Sequence, residues 1–392
     1  MKKGWKIKRL ADVLELQNGY AFDSKCFNPT DGLPLIRIRS LKAGVETETR
    51  FSGDYDKKYV VKAGDLLIGM DGEFGCYDWK GEPSLLNQRV CRLQGFSGEL
   101  IPRFLFYGVN DYLKAIEDVT GYTTVKHISS KQILEIEFPV PPLAEQQRLV
   151  GLLDEAFEGI ATAKANAEKN LQNARAIFES HLQSVFTQRG PGWVEKPIGE
   201  LCERLHQGLN TAGEKVKFYD SGYPIIQTRN IDDGVVELDS KMKFMSEDDW
   251  QLYKDKYRPE IGDVFFTNIG TIGKTAIVTT DRDYLIHWNI FKLRPLLGKV
   301  TSEFLRYTLE QLNLSGYFEK LQKGGTVDFV TKKMISEALI LLPAIAEQKT
   351  IVAKLDDLRE ETQRLARLYE QKLAALGALK KSLLHQAFTG EL

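Results

Sequence analysis

The sequence predicts an α+β chain with an internal repeat: two similar α+β domains, each followed by a long helix, with the two helices paired as an antiparallel coiled coil. Three observations predict this. Most of the chain consists of two copies of an internal sequence repeat. The first part of each copy has short strand patterns, and the last part has a heptad-like apolar seam. With 392 residues, 43% hydrophobic and 27% charged, the composition is typical of a globular protein with more than one domain.

The repeat extends over almost the whole chain. The matched segments are 4–16 with 192–204, 33–41 with 223–231, 64–75 with 262–273, 90–93 with 290–293, 104–107 with 304–307, and 141–154 with 343–356. Their separation grows along the first part of each copy, where loops absorb insertions, and is constant along the last part, where a rigid element forbids slips. The predicted domains are 1–143 and 190–345, and the predicted long helices are 144–189 and 346–392.

The first globular part is predicted to be rich in short strands. Alternating apolar and basic residues over 35–39 predict a half-buried strand, and the pair Gly64-Asp65 predicts a turn. Apolar residues on one face over 102–117 predict a helix. The run 136–142 predicts a closing strand that prolines terminate. Since the second copy repeats these patterns, we expect two α+β domains of one fold.

Each copy then continues as a long helix without proline. Apolar side chains recur at spacings of three and four, which predicts helices that pack on one another over roughly 65 Å. The seam positions are Leu149, Leu153, Ala156, Ile160, Ala163, Ala167, Leu171, Ala174 and Phe178 in the first copy and Ile351, Leu355, Leu358, Thr362, Leu365, Tyr369, Leu373 and Leu376 in the second. Small residues in one seam complement large ones in the other, which favours intramolecular pairing. The alternative is a coiled coil between two copies of the chain.

Composition also limits the function classes. No apolar run approaches the length that spans a bilayer, and no apolar stretch follows the basic N-terminus, so we expect neither a membrane segment nor a secretory signal. The four cysteines lack metal or disulfide spacing, as expected of a cytoplasmic protein. The net charge is −1, and no part of the chain is strongly basic. A nucleic-acid partner would therefore meet locally sorted charges or a field supplied by another protein.

Enzyme motifs are incomplete in this sequence. Residues 270–275 (GTIGKT) suggest a phosphate-binding P-loop, but Asn268 stands where that motif needs its first glycine. No stretch supplies the Asp/Asn-Pro-Pro-aromatic loop of an amino-methyltransferase. The pairs Asp239/Lys241 and Asp78/Lys80 are the only hints of a nuclease, and the copies do not share them. The histidines have no metal-ligand spacing.

Two similar domains held by paired helices suit a target with two separated parts. Duplex DNA has its own two-fold symmetry, so a pseudo-two-fold protein can place one domain on each half-site. Since the two domains differ in sequence, we expect the half-sites to differ.

The order of domain, junction motif and long helix resembles the specificity subunit of type I restriction–modification systems. The resemblance is carried by 141–147 (PPLAEQQ) and 343–349 (PAIAEQK), and by the helix ends Phe186-Thr187 and Phe388-Thr389. Ala344 stands where the second junction would have its second proline. The resemblance covers essentially the whole chain.

The resemblance implies that each globular domain is a target recognition domain for one half of a bipartite, asymmetric DNA site. The helices would set the spacer and dock two modification subunits, which would bind S-adenosylmethionine and methylate an adenine in each half-site. Restriction subunits would add ATP-driven translocation and cleavage. The chain itself would hold no active site, cofactor or metal.

Side chains suited to base edges and phosphates give the candidate DNA contacts. In the first domain they are Arg37, Arg39, Glu73, Arg89, Lys126 and His127, and in the second they are Arg229, Asn230, Asn268, Lys274, Asn289 and Lys323. Each has the alternative of being an ordinary solvated side chain. For the whole chain, the alternatives are a coiled-coil adaptor without DNA preference and an ATPase or nuclease.

Overall fold

The computed structural model of the chain describes residues 4–43, 49–121, 126–188, 190–232, 234–238, 242–321 and 329–392. The chain divides into two compact units. Unit 1 comprises Met1–Asn166 and Lys372–Leu392, and unit 2 comprises Ala167–Gln371. Each unit therefore contains one globular domain, the beginning of the long helix that follows that domain, and the end of the other long helix.

The strands of unit 1 are short. They are β1 (Lys6–Arg9), β2 (Glu15–Asn18), β3 (Phe27–Asn28), β4 (Leu33–Ile36), β5 (Arg50–Phe51), β6 (Val60–Val61), β7 (Leu66–Gly69), β8 (Gly75–Asp78), β9 (Ser84–Leu86), β10 (Val90–Gln94) and β11 (Glu137–Val140). The helices that begin in unit 1 are α1 (Ile38–Ala43), α2 (Pro102–Val119), α3 (Ser130–Leu134) and α4 (Leu143–Thr187).

Two sheets and a strand pair organise unit 1. An antiparallel sheet has the order β2-β10-β7-β8, and a second sheet has the order β3-β5-β4-β9-β6 with β4 and β9 parallel. Strand β1 pairs with β11, which leads into α4. The main core lies between the β2-β10-β7-β8 sheet, α2 and the long helices, around Phe104, Leu105 and Phe138.

The strand predicted over 35–39 is wrong beyond Ile36. Strand β4 ends there, and α1 begins at Ile38. The chain turns because the Arg37 amide donates to the Ser40 hydroxyl (3.4 Å) and the Ser40 amide donates to the Arg37 carbonyl (2.9 Å). Five alternating residues do not show where a strand stops when a serine offers the backbone this local partner.

The second domain repeats the strand pattern of the first. Its strands are β12 (Val194–Pro197), β13 (Cys202–Gln207), β14 (Tyr223–Ile226), β15 (Ile231–Asp232), β16 (Val235–Val236), β17 (Lys243–Met245), β18 (Val264–Thr267), β19 (Thr275–Ile277), β20 (Leu285–Ile286), β21 (Ile290–Pro295) and β22 (Leu339–Leu342). The helices that begin in unit 2 are α5 (Glu247–Tyr257), α6 (Ser302–Leu314), α7 (Tyr317–Leu321), α8 (Lys332–Ser336) and α9 (Ile345–Thr389).

Three features of the unit 1 sheets recur in unit 2. The order β13-β21-β18-β19 matches β2-β10-β7-β8, the pair β12–β22 matches β1–β11, and β14 pairs with β20 in parallel as β4 does with β9. Helix α5 lies in the stretch where the repeat separation grows, and Trp250 on it stacks on Tyr223 at 4.7 Å between ring centroids. The internal repeat and the predicted α+β class are therefore confirmed.

The long helices run antiparallel within each unit. In unit 1, Arg148 of α4 donates to the Leu392 carbonyl (2.8 Å), and Phe157 lies under the Lys380 ammonium (4.9 Å to the ring centroid). In unit 2, Arg175 pairs with Glu370 (3.0 Å), and Phe178 lies under Arg359 (4.2 Å). Seam residues such as Leu149, Leu153 and Leu355 are fully buried. The predicted seam is confirmed.

A buried glutamine explains the repeated junction motif. In unit 1 the Gln146 side chain accepts from the Ile101 amide (2.8 Å) and donates to the carbonyls of Glu99 (2.7 Å) and Pro141 (2.8 Å). In unit 2 Gln348 makes the same three bonds, accepting from Thr301 (3.0 Å) and donating to Lys299 and Pro343 (both 2.9 Å). The motif thus ties the start of each long helix to the loop before α2 or α6.

The helix ends dock on aromatic cores. In unit 1, the Phe388 ring near the end of α9 packs against Phe104 (4.9 Å between centroids) and Phe138 (5.8 Å). In unit 2, Phe186 near the end of α4 packs against Phe304 (5.1 Å). The repeated Phe-Thr pair at the helix ends is therefore a packing element.

Candidate nucleic-acid interface

Three segments meet at one end of the β2-β10-β7-β8 sheet in unit 1. They are the β7–β8 loop (70–74), the turn before β10 (87–89) and the segment 126–128, and we call them together the first tip. Backbone bonds join them: Met70 N–H donates to the Arg89 carbonyl (3.0 Å), Gly72 N–H to the Lys126 carbonyl (2.9 Å) and Ile128 N–H to the Met70 carbonyl (2.9 Å). Residues far apart in sequence therefore form one surface.

A carboxylate organises the side chains of the first tip. Asp71 Oδ1 lies 2.6 Å from His127 Nδ1, and Asp71 Oδ2 lies 3.2 Å from Arg89 Nη1. The Asp71 side chain is 17% exposed, whereas those of Arg89 and His127 are 58% and 50% exposed. Exposed ion pairs add little to stability, about 0–1 kcal/mol. The consequence of this one is orientation: two cation-capable groups face solvent from a shared carboxylate.

Unit 2 builds the same backbone frame, which we call the second tip (268–274, 287–289 and 329–330). Asn268 N–H donates to the Asn289 carbonyl (3.1 Å), and Val330 N–H donates to the Asn268 carbonyl (2.9 Å). Ile269 forms an antiparallel bridge with Phe329, as Asp71 does with His127. In this frame Asn289, Ile269 and Phe329 occupy the places of Arg89, Asp71 and His127.

At the three equivalent places of the second tip the side chains are amide and apolar. Asn289 Oδ1 lies 2.9 Å from His287 Nδ1, and His287 Nε2 lies 3.1 Å from Thr211 Oγ1. Burial lowers the pKa of the His287 imidazole below its ordinary value, which favours a neutral ring that donates from Nδ1. Phe329 is 48% exposed, and Ile269 is half-buried. The same frame thus presents different chemistry in each domain.

A glycine allows the close approach behind each tip. A Cβ on Gly19 would lie 2.0 Å from the Asn87 carbonyl oxygen, and one on Gly208 would lie 2.4 Å from the His287 carbonyl oxygen. Both glycine amides donate across this gap, Gly19 to Val90 and Gly208 to Ile290. These glycines therefore fix the turns that carry Arg89 and Asn289.

The structure brings most of the first-domain candidates together. Glu73, Arg89, Lys126 and His127 lie on the first tip, where the Lys126 ammonium donates to the Glu117 carbonyl (2.7 Å). Arg37 and Arg39 lie at the beginning of α1, and the Arg37 guanidinium is 5.6 Å from the centroid of a phenylalanine ring of β3. Helix α1 packs on β7, beside the start of the first tip.

The second-domain candidates divide between surface and interior. Lys274 and Asn289 lie on the second tip, and Arg229 is exposed on the turn after β14. Asn230 and Asn268 are buried, and the Asn230 side-chain Oδ1 accepts from the Gln227 backbone amide (3.0 Å). Buried side chains do not reach a base in this conformation, so the structure does not place Asn230 or Asn268 for contact with DNA. Lys323 lies outside the described residues.

Asp71, Ile269 and Phe329 are not among the residues predicted from the sequence. The predicted contacts are polar and charged side chains, so the two apolar residues fall outside that set, and no local sequence pattern distinguishes Asp71 from other aspartates. The repeat alignment holds the missing signal, because Ile269 aligns with Asp71 in the matched segments 64–75 and 262–273. Phe329 aligns with His127 at the constant separation of the last part of each copy.

Strand β19 follows the GTIGKT stretch, whereas a P-loop is followed by a helix. Lys274 donates to the Ile231 carbonyl (2.9 Å) and pairs with Asp232 (3.2 Å). Within the described ranges, no cluster of His, Cys, Asp or Glu is arranged to hold a metal ion. Burial raises the pKa of the Cys91 thiol to about 12, so this thiol stays protonated at neutral pH.

The model of the type I restriction modification DNA specificity domain matches this chain twice, over residues 2–172 and 191–371. The chain belongs to this family. The family and the predicted role in DNA specificity are thereby confirmed. Among the described residues, no helix is long and apolar enough to cross a membrane.

Relatives of this family match the chain along its length. The EcoBI specificity subunit of Escherichia coli is 30% identical over 414 residues, covering 99% of this chain and 86% of that protein. The MjaVIII specificity subunit of Methanocaldococcus jannaschii is 21% identical, covering 99% and 93%. The HsdS subunit from Thermoanaerobacter tengcongensis has a similar fold, with a TM-score of 0.59 and 20% identity, over 100% of this chain and 98% of that one. A chain from a structure of the type I R-M system reaches a TM-score of 0.78 at 21% identity, covering 100% and 99%.

Proposed function

We propose that this chain is the DNA-recognition subunit of a type I restriction–modification enzyme and that each domain recognises one half of a bipartite, asymmetric site. The observation that carries the proposal is that one backbone frame occurs twice with different side chains. A repeated frame suits the two-fold symmetry of duplex DNA, and different side chains suit two different half-sites.

The long helices have the rigidity that a fixed spacing between the two half-sites requires. Each is 45 residues long and unbroken, so it resists bending and slipping. We propose that they set the spacer between the half-sites and dock two modification subunits. Apolar side chains outside the predicted seam support docking: Ile177 and Leu368 in unit 2 and Leu379 in unit 1 are about half exposed. Contact with a modification subunit would remove these side chains from water.

In this proposal the chain has no active site of its own and acts with its partners in the cytoplasm. S-adenosylmethionine is bound by the modification subunits, and restriction subunits supply ATP-driven translocation and cleavage. Because the net charge of the chain is −1, much of the positive field that attracts DNA phosphates would come from the modification subunits.

The test is to co-express the chain with its modification subunits and map the methylated adenines on a random DNA library. We expect one bipartite asymmetric motif with a fixed spacer. Replacing residues 1–143 with those of another family member should then change one half of the motif only. Methylation without sequence preference, or a change in both halves, would contradict the proposal.

A further inference from the structure

We propose that the first tip recognises a G·C base pair and the second tip recognises an A·T base pair at the corresponding place in the other half-site. This inference rests on the proposed function. Because two backbone bonds and the strand bridge of the first tip recur in the second tip, we expect equivalent side chains to approach a duplex in the same way. Any difference in base preference at this place therefore comes from side-chain chemistry.

In the first tip, the Arg89 guanidinium has two N–H donors side by side that suit a guanine. Asp71 holds Nη1 at 3.2 Å, which leaves Nε and Nη2 to donate together. A guanidinium that donates two bonds matches the O6 and N7 acceptors of guanine in the major groove. A base edge also suits this cluster better than a phosphate does, because the Asp71 carboxylate repels the full charge of a phosphate more strongly than it repels the partial charges of a neutral base.

In the second tip, Asn289 and Phe329 match an A·T pair. An asparagine amide pairs with N6 and N7 of adenine, and a phenylalanine ring contacts the thymine methyl group. Asn289 Oδ1 uses one lone pair on His287 Nδ1 (2.9 Å) and retains the other for adenine N6. Phe329 is 48% exposed, so a methyl group placed against it would be removed from water.

The first experiment replaces the guanidinium of Arg89 in the complete complex with modification subunits. Arg89→Asn should lower the preference for guanine at one position of the first half-site by about ten- to a hundredfold and leave the second half-site unchanged. Arg9→Asn is the matched control, because Arg9 is equally exposed (61%) and has the same kind of ion pair, 3.1 Å from Asp12. It should leave the motif unchanged.

Arg89→Lys keeps the test valid if the asparagine variant does not fold. It retains a positive charge beside Asp71 but loses the two-pronged geometry, so guanine preference should fall while assembly and total binding persist. Thermal unfolding and co-purification with the modification subunits report folding. An unchanged motif with either folded variant would overturn the inference for the first tip.

The second experiment uses DNA in which deoxyuridine replaces thymidine, which removes only the methyl group. At one position of the second half-site, this replacement should weaken binding of the wild-type complex about three- to tenfold. The Phe329→Ala complex should bind both duplexes equally. Leu252→Ala, which alters another exposed apolar residue (70%), should behave like wild type.

The two proposals fail separately. If wild type shows no bipartite motif, the proposed function fails. If wild type shows the motif but no uridine position affects it, or Phe329→Ala retains the full uridine effect, the inference for the second tip fails and the proposed function stands.

Discussion

At the scale of single residues, one buried amide fixes each globular domain to its long helix. Gln146→Ala leaves the Ile101 amide and the carbonyls of Glu99 and Pro141 without their partner. Leaving buried polar groups unpaired costs about 1–3 kcal/mol each, partly relieved by water. We expect unit 1 to lose about 2–4 kcal/mol of unfolding free energy. Denaturant unfolding measures this loss, and hydrogen exchange at the Ile101 amide locates it.

The neighbouring Gln147 provides the matched control. Its side chain is exposed on the same helix, so Gln147→Ala should change the unfolding free energy by less than about 0.5 kcal/mol. Equal effects of the two substitutions, or an unchanged exchange rate at Ile101 in Gln146→Ala, would show that the Gln146 hydrogen bonds do not stabilise the junction.

Lys292 gives unit 2 a predictable response to alkaline pH. Its ammonium is 1% exposed, donates to the Arg258 carbonyl (2.7 Å) and lies 4.0 Å from Asp263. Desolvation lowers its pKa from 10.5 to about 8. Between these values the unfolded chain binds more protons than the folded one, so this lysine makes the unfolding free energy rise with pH, at most about 1.4 kcal/mol per pH unit.

The measurement compares wild type with Lys292→Arg at pH 8 and pH 10 by denaturant unfolding. Arginine stays charged across this range, and the first domain has Arg92 at the equivalent place. The difference in unfolding free energy, wild type minus variant, should therefore increase from pH 8 to pH 10. A constant or decreasing difference would show that Lys292 is not the group that titrates.

Residue-level sequence reasoning reached part of the candidate interface. It selected Arg89, His127 and Asn289, because basic and amide side chains suit DNA. It did not predict that residues 71, 89 and 127 meet, since a bridge between a hairpin loop and a distant segment leaves no local pattern. Asp71 acquires its importance only through that contact, which the sequence does not reveal.

At the scale of elements, two helix glycines test packing against propensity. Alanine is about 0.8–1 kcal/mol better than glycine inside a helix. A Cβ on Gly151 of α4 would meet no atom within 4 Å, so Gly151→Ala should stabilise unit 1 by about that amount. A Cβ on Gly108 of α2 would lie 2.4 Å from the Phe388 ring. Because that ring is packed between Phe104 and Phe138, Gly108→Ala should destabilise the unit by about 1–3 kcal/mol.

Thermal unfolding of the two variants distinguishes these effects by their sign. Limited proteolysis near the end of α9 adds a local measurement, because displacement of Phe388 should expose the last turns of that helix in Gly108→Ala only. Stabilisation by both substitutions would mean that the docking of Phe388 is looser than the structure shows.

The long helices were predictable because their pattern has many periods. An apolar seam that runs from Leu149 to Phe178 in one helix and from Ile351 to Leu376 in the other averages out local exceptions, and the constant repeat separation gave independent support. The strand predicted over 35–39 had only five residues, and one serine was enough to end it. The added helix α5 lies where the second copy has extra residues, so the alignment showed an insertion but not its structure.

At the scale of the whole molecule, the two copies share the contacts that hold the backbone frame and differ in the side chains that the frame presents. Three features recur in both copies: the buried glutamine that bonds the junction (Gln146 or Gln348), the glycine behind the tip and the aromatic helix end. The side chains at the equivalent places of the tips differ. A frame held in this way tolerates replacement of its solvent-facing tip side chains, such as Arg89 and His127, because these contribute little to the core. Specificity can therefore change without a change of fold.

The same reasoning predicts how helix length controls the DNA site. Three heptads inserted after Asn166 in α4 and three after Gln371 in α9 preserve the period of the seam. They add about 31.5 Å at 1.5 Å per residue, close to one turn of B-DNA, about 34–36 Å. If the helices set the spacer, the methylated motif should keep both half-sites and gain about nine or ten base pairs between them, as methylation mapping would show.

A single inserted heptad in each helix is the matched control. It also preserves the seam, but it adds only about 10.5 Å, close to three base pairs or a third of a DNA turn. The half-sites would then face different sides of the duplex, so methylation should fall at least tenfold although the complex still assembles. A spacer that keeps its original length in the three-heptad variant would mean that something other than the helices measures the DNA.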